Sequence, residues 1–132
     1  MKRILLILLI ACCSLAGAVA ANRGAEPEMV FERTSHDFGD VQRKGGDLIA
    51  MFRFRNDGGT PLVIKKVHKS CSCMTVDFSR KPVMPGESGE IKIKYEPHKV
   101  EAGMFNKVIQ IYTNESKKVR LITIHGNSVD GK

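Results

Sequence analysis

Residues 67–76 of the chain, VHKSCSCMTV, concentrate the side chains best suited to chemistry. Cys71 and Cys73 lie two positions apart, with His68 before them and Met74 directly after them. Thiolate and thioether sulfurs are the ligands that Cu(I) prefers, so these four side chains form a candidate soft-metal site with Cys71 and Cys73 as its centre. Zinc is less favoured, because structural zinc takes four ligands and a wider cysteine spacing.

Two other interpretations of the cysteine pair stay open. The cysteines could be buried thiols that pack as small apolar side chains, or they could form a disulfide, structural or redox-active. On an extended strand, residues 71 and 73 share one face with Cα atoms about 6.5 to 7 Å apart, at the upper limit for a bridge. A disulfide therefore requires local bending. His68 and Met74 have the opposite parity, so a metal site also requires a bulge or turn.

The elements that must position this segment are β-strands. Short runs rich in β-formers alternate with turn clusters about every ten residues, which is typical of an all-β sandwich. The step from Ile64 to Val67 breaks strict alternation and predicts a bulge near Lys65 and Lys66. No apolar period of 3.6 residues persists over three turns between residues 29 and 127. The pattern predicts about seven antiparallel strands: 29–33, 48–55, 62–68, 74–78, 90–95, 105–113 and 118–126.

The N-terminus has the features of an export signal. Met1-Lys2-Arg3 is followed by an apolar run from residue 4 to residue 11 and by small residues up to Ala21. This run is too short to span a bilayer, so the sequence predicts a signal peptide over residues 1–20 and no integral membrane span after cleavage. Cys12 also fits a lipobox, which makes a lipid anchor the alternative. We expect a flexible tether over 21–28, a β-sandwich domain over 29–127 and a tail over 128–132.

Composition limits the partners. The chain has 21 basic and 14 acidic residues; without residues 1–20 there remain 19 against 14, a net charge of +5. The basic residues are dispersed, with no run longer than two, whereas nucleic-acid binding usually needs a focused basic face. We therefore expect no nucleic-acid partner. If cleavage occurs near Ala20, only Cys71 and Cys73 remain, which excludes a disulfide-dense scaffold.

No catalytic motif is apparent in the sequence. The four histidines lie in separate segments, and no nucleophile elbow, zinc-protease motif, phosphate-binding loop or dinucleotide fingerprint is present. His36-Asp37 is better interpreted as a packed histidine and a turn-capping aspartate than as an acid–base pair. Asn114-Glu115-Ser116 is interpreted as a polar hairpin turn. The sequence therefore predicts a protein that is not an enzyme and has no resident cofactor, Cu(I) being the one metal considered.

The order of short motifs resembles a known bacterial family, the "domain of unknown function" family fifteen seventy-three, which is common in secreted proteins of the Bacteroidota. The family's Cys-Gly-Cys-Thr motif is here Cys71-Ser72-Cys73-Met74, with Thr75 following. The resemblance covers nearly all of residues 29–127. It is carried, in order, by Phe31 with HDFG at 36–39, FRFRNDG at 52–58, PLVI at 61–64, Val67, SCSC at 70–73, PGE at 85–87, IKIKY at 91–95, GMFNK at 103–107 and Asn114.

The resemblance implies an immunoglobulin-like sandwich, similar to pilus-chaperone and major-sperm-protein domains, in an exported protein. It implies no activity, because fold alone does not define function. We therefore expect a non-catalytic module of the periplasm or cell exterior, or an outer-membrane lipoprotein, that contacts an unknown envelope protein. Strand addition at a sheet edge is one mode of such contact. The alternative is a Cu(I)-binding or thiol-redox protein acting through Cys71 and Cys73.

Overall fold

A computed structural model of the chain describes residues 26–116 and 118–131. The predicted signal peptide and the alternative lipidation site at Cys12 lie outside the described residues. These residues form eight strands and one short 3₁₀ helix. They are, in order, β1 (Met29–Phe31), β2 (Ser35–Gln42), β3 (Leu48–Asn56), β4 (Ile64–Lys69), β5 (Met74–Phe78), β6 (Ser88–Tyr95), the 3₁₀ helix Pro97–Lys99, β7 (Gly103–Thr113) and β8 (Val119–Val129). Within this part of the chain, no helix has the length and apolar character needed to cross a membrane.

The strands form two four-stranded sheets, which confirms the predicted β-sandwich. The first sheet has the order β1-β3-β6-β5 and the second has the order β2-β8-β7-β4. Alternation places one face of each strand in the shared core. For example, Phe52 and Phe54 of β3 are buried while Arg53 and Arg55 are exposed. The core is built mainly from such inward residues, among them Ile91 and Ile93 of β6, Ile109 and Ile111 of β7, and Ile122 and Ile124 of β8.

The strand count was predicted one too low, and one pairing differs in direction. Residues 35–42 lie outside the seven predicted strands but form β2, which pairs with β8 in parallel, so the sandwich is not wholly antiparallel. The register of β2 shifts between Asp37 and Asp40, and Gly39 has a positive φ of 69°. This glycine bulge interrupts the period-two pattern, which explains why the strand was not recognised.

Several local predictions are confirmed. The register of β4 shifts between Ile64 and Lys66, where the bulge was expected. Asp37 makes the local hydrogen bond expected of a capping residue, but at the bulge of β2 rather than in a turn: its Oδ1 accepts a hydrogen bond of 2.8 Å from the Gly39 N–H. The ring of His36 packs edge-on against Phe38, with 4.5 Å between centroids.

The segment before β1 is attached to the domain rather than free. Residues 26–28, assigned to a tether from the sequence, accept hydrogen bonds from the turn after β3: the N–H groups of Asp57 and Gly59 donate to the carbonyls of Glu28 and Glu26. The side chain of Pro27 is buried. A Cβ on Gly58 would lie 2.2 Å from the Glu26 oxygen, so only glycine allows this close backbone approach.

Candidate functional site

The two cysteines lie in a turn, not on a strand. Residues 70–73 connect β4, at one edge of the second sheet, to β5, at one edge of the first. Their Sγ atoms are joined in a disulfide, and the Cα atoms are 5.1 Å apart. The predicted strands 62–68 and 74–78 also leave both cysteines between strands, and the connection observed here provides the local bending that a bridge requires. The turn supplies this bend and brings the Cα atoms well within the usual range.

The disulfide turn is tied to the surrounding strands by hydrogen bonds. The Cys73 N–H donates to the Cys71 Sγ at 3.1 Å, and the Glu96 N–H donates to the Cys73 carbonyl at 2.8 Å. The ammonium group of Lys69 donates to the Met74 carbonyl at 2.7 Å. These contacts join the end of β4, the start of β5 and the end of β6. The turn therefore closes one end of the sandwich.

The two sulfurs differ in accessibility. Cys73 is 1% exposed and belongs to the core, whereas Cys71 is only partly buried. A thiolate from solvent can therefore reach Cys71 but not Cys73. Attack on Cys71 would release Cys73 as a thiolate in apolar surroundings, where burial disfavours the charged form. This asymmetry favours a stable bridge over rapid exchange.

The other two predicted metal ligands are separated from each other. Met74 has no exposed surface and packs in the core, whereas His68 is exposed on β4, opposite Gln110 of β7. As a disulfide, the two cysteines offer no thiolate to a metal, since thiolate is the ligand form. Only the reduced form of this segment therefore offers thiolate ligands to Cu(I).

A second cluster of polar side chains lies at the same end of the sandwich. Ligand atoms of Asp47, Glu96 and His98 lie within 4.8 Å of one another. Lysines already neutralise the carboxylates, since Lys99 Nζ is 3.1 Å from Glu96 and Lys94 Nζ is 3.9 Å from Asp47. The hydrogen bond from Lys99 lowers the pKa of Glu96 below its ordinary value. Sequence reasoning missed this cluster, which we interpret as a surface ion-pair network.

A groove lies elsewhere, on the outer face of the second sheet. It has a volume of about 610 Å³ and crosses β2, β8 and β7. Side chains of alternate residues from these strands point outward here, in two rows set by the strand register. One row is Asp37, His125 and Asn106, and the other is Asp40, Asn127 and Met104. Sequence reasoning did not identify this groove, because the pairing of β2 with β8 is not apparent from the sequence.

Contacts within the groove fix its polar side chains. The Asn127 amide donates to Asp40 Oδ1 at 3.2 Å, and His125 Nδ1 lies 3.7 Å from Asp37 Oδ1. His36, on the inner face of β2, contacts the Arg33 guanidinium. Burial, followed by the positive charge of Arg33, lowers the pKa of His36. His36 therefore belongs to the packing of β2 and does not form an acid–base pair with Asp37.

Two sheets in these orders, with β2 parallel to β8, define an immunoglobulin-like, PapD-like sandwich. The ASH / PapD-like domain 7 of human CEP192 has this fold: it superposes with a TM-score of 0.66 at 8% identity, over 96% of this chain and 99% of that one. The chain belongs to the family described as protein of unknown function (DUF1573), whose model matches residues 29–128. This confirms the family that the sequence resembles.

Other solved structures share the fold at low identity. A protein of unknown function from Porphyromonas gingivalis W83, a member of the Bacteroidota, has a TM-score of 0.68 and 24% identity over 76% of this chain. The match covers 46% of that protein, so this chain spans about half its length. The secreted serine protease VesC from Vibrio cholerae has a TM-score of 0.60 and 13% identity, over 79% of this chain and 24% of the protease. No curated protein matches the chain.

Proposed function

We propose that the chain is an exported, non-catalytic immunoglobulin-like module that binds another protein in the cell envelope. The outer face of the second sheet carries this proposal. Four large apolar side chains are exposed there: Met104 and Val108 of β7, and Val119 and Leu121 of β8. Apolar side chains grouped on one sheet face are typical of a surface that a partner covers.

The sheet edges support contact through this face rather than strand addition beside the disulfide. Arg80 donates to the Lys65 carbonyl at the bulge of β4, and Lys69 donates to the Met74 carbonyl of β5. Cationic side chains on edge strands hinder pairing with another chain. On the outer face of the second sheet, Val108 lies opposite Thr123 and Leu121 lies opposite Gln110, so neither of these apolar side chains has a charged residue opposite it on the β7–β8 pair.

Site-specific photo-crosslinking in living cells tests this function. A photoreactive amino acid at position 121 should yield one main adduct with an envelope protein, recovered from the periplasmic or membrane fraction after fractionation. The matched control places the same residue at Thr75, which is exposed on the outer face of the first sheet. Adding Val108→Lys should reduce the adduct from position 121. This lysine would place a charge on the same sheet face, opposite Thr123, and would disrupt apolar contact between that face and the partner. Equal adducts from both positions, none from position 121, or recovery in the cytosol would refute the proposal.

The disulfide favours a second candidate function, in thiol redox chemistry through Cys71 and Cys73. A partner thiolate would attack Cys71 Sγ, form a mixed disulfide with it, and release Cys73 as a thiolate that then takes up a proton. Reduction of both sulfurs would also create the pair of soft ligands that Cu(I) prefers, with the exposed His68, rather than the buried Met74, as the accessible helper. This candidate requires that the native protein exchange its disulfide readily.

Intact-mass measurement distinguishes a redox disulfide from a structural one. Protein isolated from the envelope should be lighter by two hydrogen atoms than its fully reduced form. Because Cys73 is 1% exposed, we expect a mild reductant to leave the native protein oxidised and to reduce it only after unfolding. Rapid reduction of the folded protein, with alkylation of Cys71 before Cys73, would favour the redox function instead. A Cys71→Ser, Cys73→Ser variant is the control for reagent reactions elsewhere.

A further inference from the structure

The groove on the outer face of the second sheet differs in charge from the rest of the molecule. The whole chain carries 21 lysines and arginines, yet of those in the described part of the chain none lines the groove. Its charged side chains are the carboxylates of Asp37 and Asp40, which flank the bulge in β2, with His125 beside them. A concave negative site on a positively charged protein attracts cationic groups and raises their local concentration.

The two carboxylates retain hydrogen-bonding capacity for a ligand. Asp37 uses its Oδ1 for the Gly39 N–H and for His125, and Asp40 uses its Oδ1 for the Asn127 amide. An ionised carboxylate has two oxygens and about four acceptor sites. An ammonium or guanidinium group could therefore bind either aspartate without displacing these contacts.

Apolar surface continues from the acidic groove along the same sheet face. Met104, in the row of Asp40, is 87% exposed. Along β7 and β8, Val108 opposite Thr123 and Leu121 opposite Gln110 extend this surface away from the aspartates. Methionine adapts to varied apolar shapes. The face thus offers anionic acceptors at one end and apolar contacts beside them.

We propose that this groove binds a lysine or arginine side chain presented by an extended segment of a partner protein. Apolar residues of the same segment would lie on Met104, Val108 and Leu121. The inference deepens the proposed function and depends on it, because it specifies the chemistry of the partner. A charge-assisted hydrogen bond to Asp37 or Asp40 would fix the register of the segment.

Titration with model peptides, followed by NMR of the isotopically labelled protein, tests the inference. The probe is a synthetic octapeptide of alternating lysine and valine, and the comparison peptide has glutamate in place of each lysine. We expect the lysine peptide to shift amide signals of β2, β7 and β8 around Asp37, Asp40 and Met104, and to bind more weakly as salt is raised. The glutamate peptide should leave these signals unchanged.

Asparagine substitutions test the contribution of the carboxylate charges separately from that of side-chain shape. Asp37→Asn and Asp40→Asn each retain an amide oxygen for the existing hydrogen bonds, so the fold should persist. Together they should weaken binding of the lysine peptide about fivefold or more, as expected for loss of about 1 kcal/mol. Asp77→Asn, on the exposed face of β5, is the matched control and should bind like the unmodified protein.

Three outcomes would overturn the inference: equal binding of the two peptides, unchanged affinity in the double variant, or shifts that map outside the groove. A response to a neutral oligosaccharide but not to the lysine peptide would likewise replace it with a sugar site. If any of these outcomes occurs while crosslinking from position 121 succeeds, the inferred cationic segment is wrong and the proposed protein-binding function stands. If crosslinking from position 121 fails, the proposed function itself is wrong.

Discussion

Replacing Asn56 with alanine should lower the free energy of unfolding by about 3 to 5 kcal/mol, one of the two largest effects expected for a single polar side chain in this domain. Asn56 is fully buried at the end of β3. Its amide donates to the carbonyls of Thr60 and Val83 at 2.8 and 2.9 Å. Its Oδ1 accepts from the N–H groups of Gly58 and Glu28 at 2.9 and 3.1 Å.

The size of this effect follows from what remains after truncation. Alanine removes all four side-chain hydrogen bonds. The Val83 carbonyl keeps its bond from the Leu62 N–H, whereas the Thr60 carbonyl and the N–H groups of Gly58 and Glu28 lose the Asn56 side chain as a partner. Each buried group left unsatisfied costs about 1 to 3 kcal/mol. Because the four partners belong to the segment before β1, the turn after β3 and the segment before β6, all three should loosen together.

Chemical denaturation measures the effect, with a second asparagine as control. Asn114 also bonds two backbone groups: its amide donates to the Pro61 carbonyl at 3.0 Å, and its Oδ1 accepts from the Val63 N–H at 2.9 Å. Asn114 is exposed, however, so water can replace these contacts and Asn114→Ala should cost about 1 kcal/mol. Equal losses in the two variants would contradict the anchoring of three segments by Asn56.

The period-two pattern of the sequence predicts some strands of this domain and misses others. Strand β5 was predicted with its observed bounds, Met74–Phe78, and β3 was predicted to within one residue, because alternation is unbroken in both. Strand β2 was missed, because the bulge at Gly39 interrupts its alternation and its partner β8 is distant in sequence. Local pattern therefore predicts regular strands but not a bulged strand that is stabilised by a remote neighbour.

The candidate sites were also predictable to different degrees, because most of them are assembled from residues that are distant in sequence. Two cysteines two positions apart are visible in any sequence, but their pairing depends on a turn that brings the Cα atoms to 5.1 Å. The groove needs residues 37 and 40 beside residues 125 and 127, a juxtaposition that only the β2–β8 register creates. Asn56 lies one residue beyond the predicted strand 48–55, whereas it is the last residue of β3, and its buried contacts include Glu28 and Val83. Chemistry assembled across strands is therefore not apparent in one stretch of sequence.

Glu115 is the clearest case of a residue whose surroundings the sequence conceals. The triplet Asn114-Glu115-Ser116 was interpreted as a polar hairpin turn, yet the Glu115 side chain is only 2% exposed. Its Oε2 accepts from Arg120 Nη2 at 2.6 Å and from the Met29 N–H at 2.9 Å. Its Oε1 accepts from the Thr113 hydroxyl at 2.8 Å and from Arg120 Nε at 3.1 Å. One carboxylate therefore joins the β7–β8 hairpin to β1 of the opposite sheet.

Replacing Glu115 with glutamine should destabilise the domain by about 3 kcal/mol at neutral pH. Glutamine has nearly the same shape, but it lacks the charge that pairs with Arg120. The glutamine amide also places an N–H group where the carboxylate accepted hydrogen bonds. At least one hydrogen bond to the carboxylate is therefore lost, and the new N–H group faces another donor. Removing one partner of a buried pair typically costs about 3 to 5 kcal/mol. The lower end applies because the Arg120 side chain remains 26% exposed.

The same carboxylate should make stability fall in acid. Burial alone raises the pKa of Glu115, but the hydrogen bonds from Arg120, Met29 and Thr113, with the charge of Arg120, outweigh it and hold the pKa below its ordinary value of 4.5. The unfolded chain therefore binds a proton at a higher pH than the folded domain does. The contribution of Glu115 to stability is fully present above pH 4.5 and is lost as the pH falls through the lower, folded-state pKa.

Denaturation measured between neutral pH and acid, for the unmodified protein and two variants, checks both the size and the sign of this effect. Glu115→Gln should be less stable at neutral pH, and its stability should decline less steeply below pH 4.5, because the titrating group is gone. Glu90→Gln removes an exposed carboxylate on the outer face of β6 and is the matched control. It should retain the acid dependence of the unmodified protein. A parallel acid decline in Glu115→Gln would show that other carboxylates cause it, and that the Glu115–Arg120 pair does not connect the two sheets as the structure indicates.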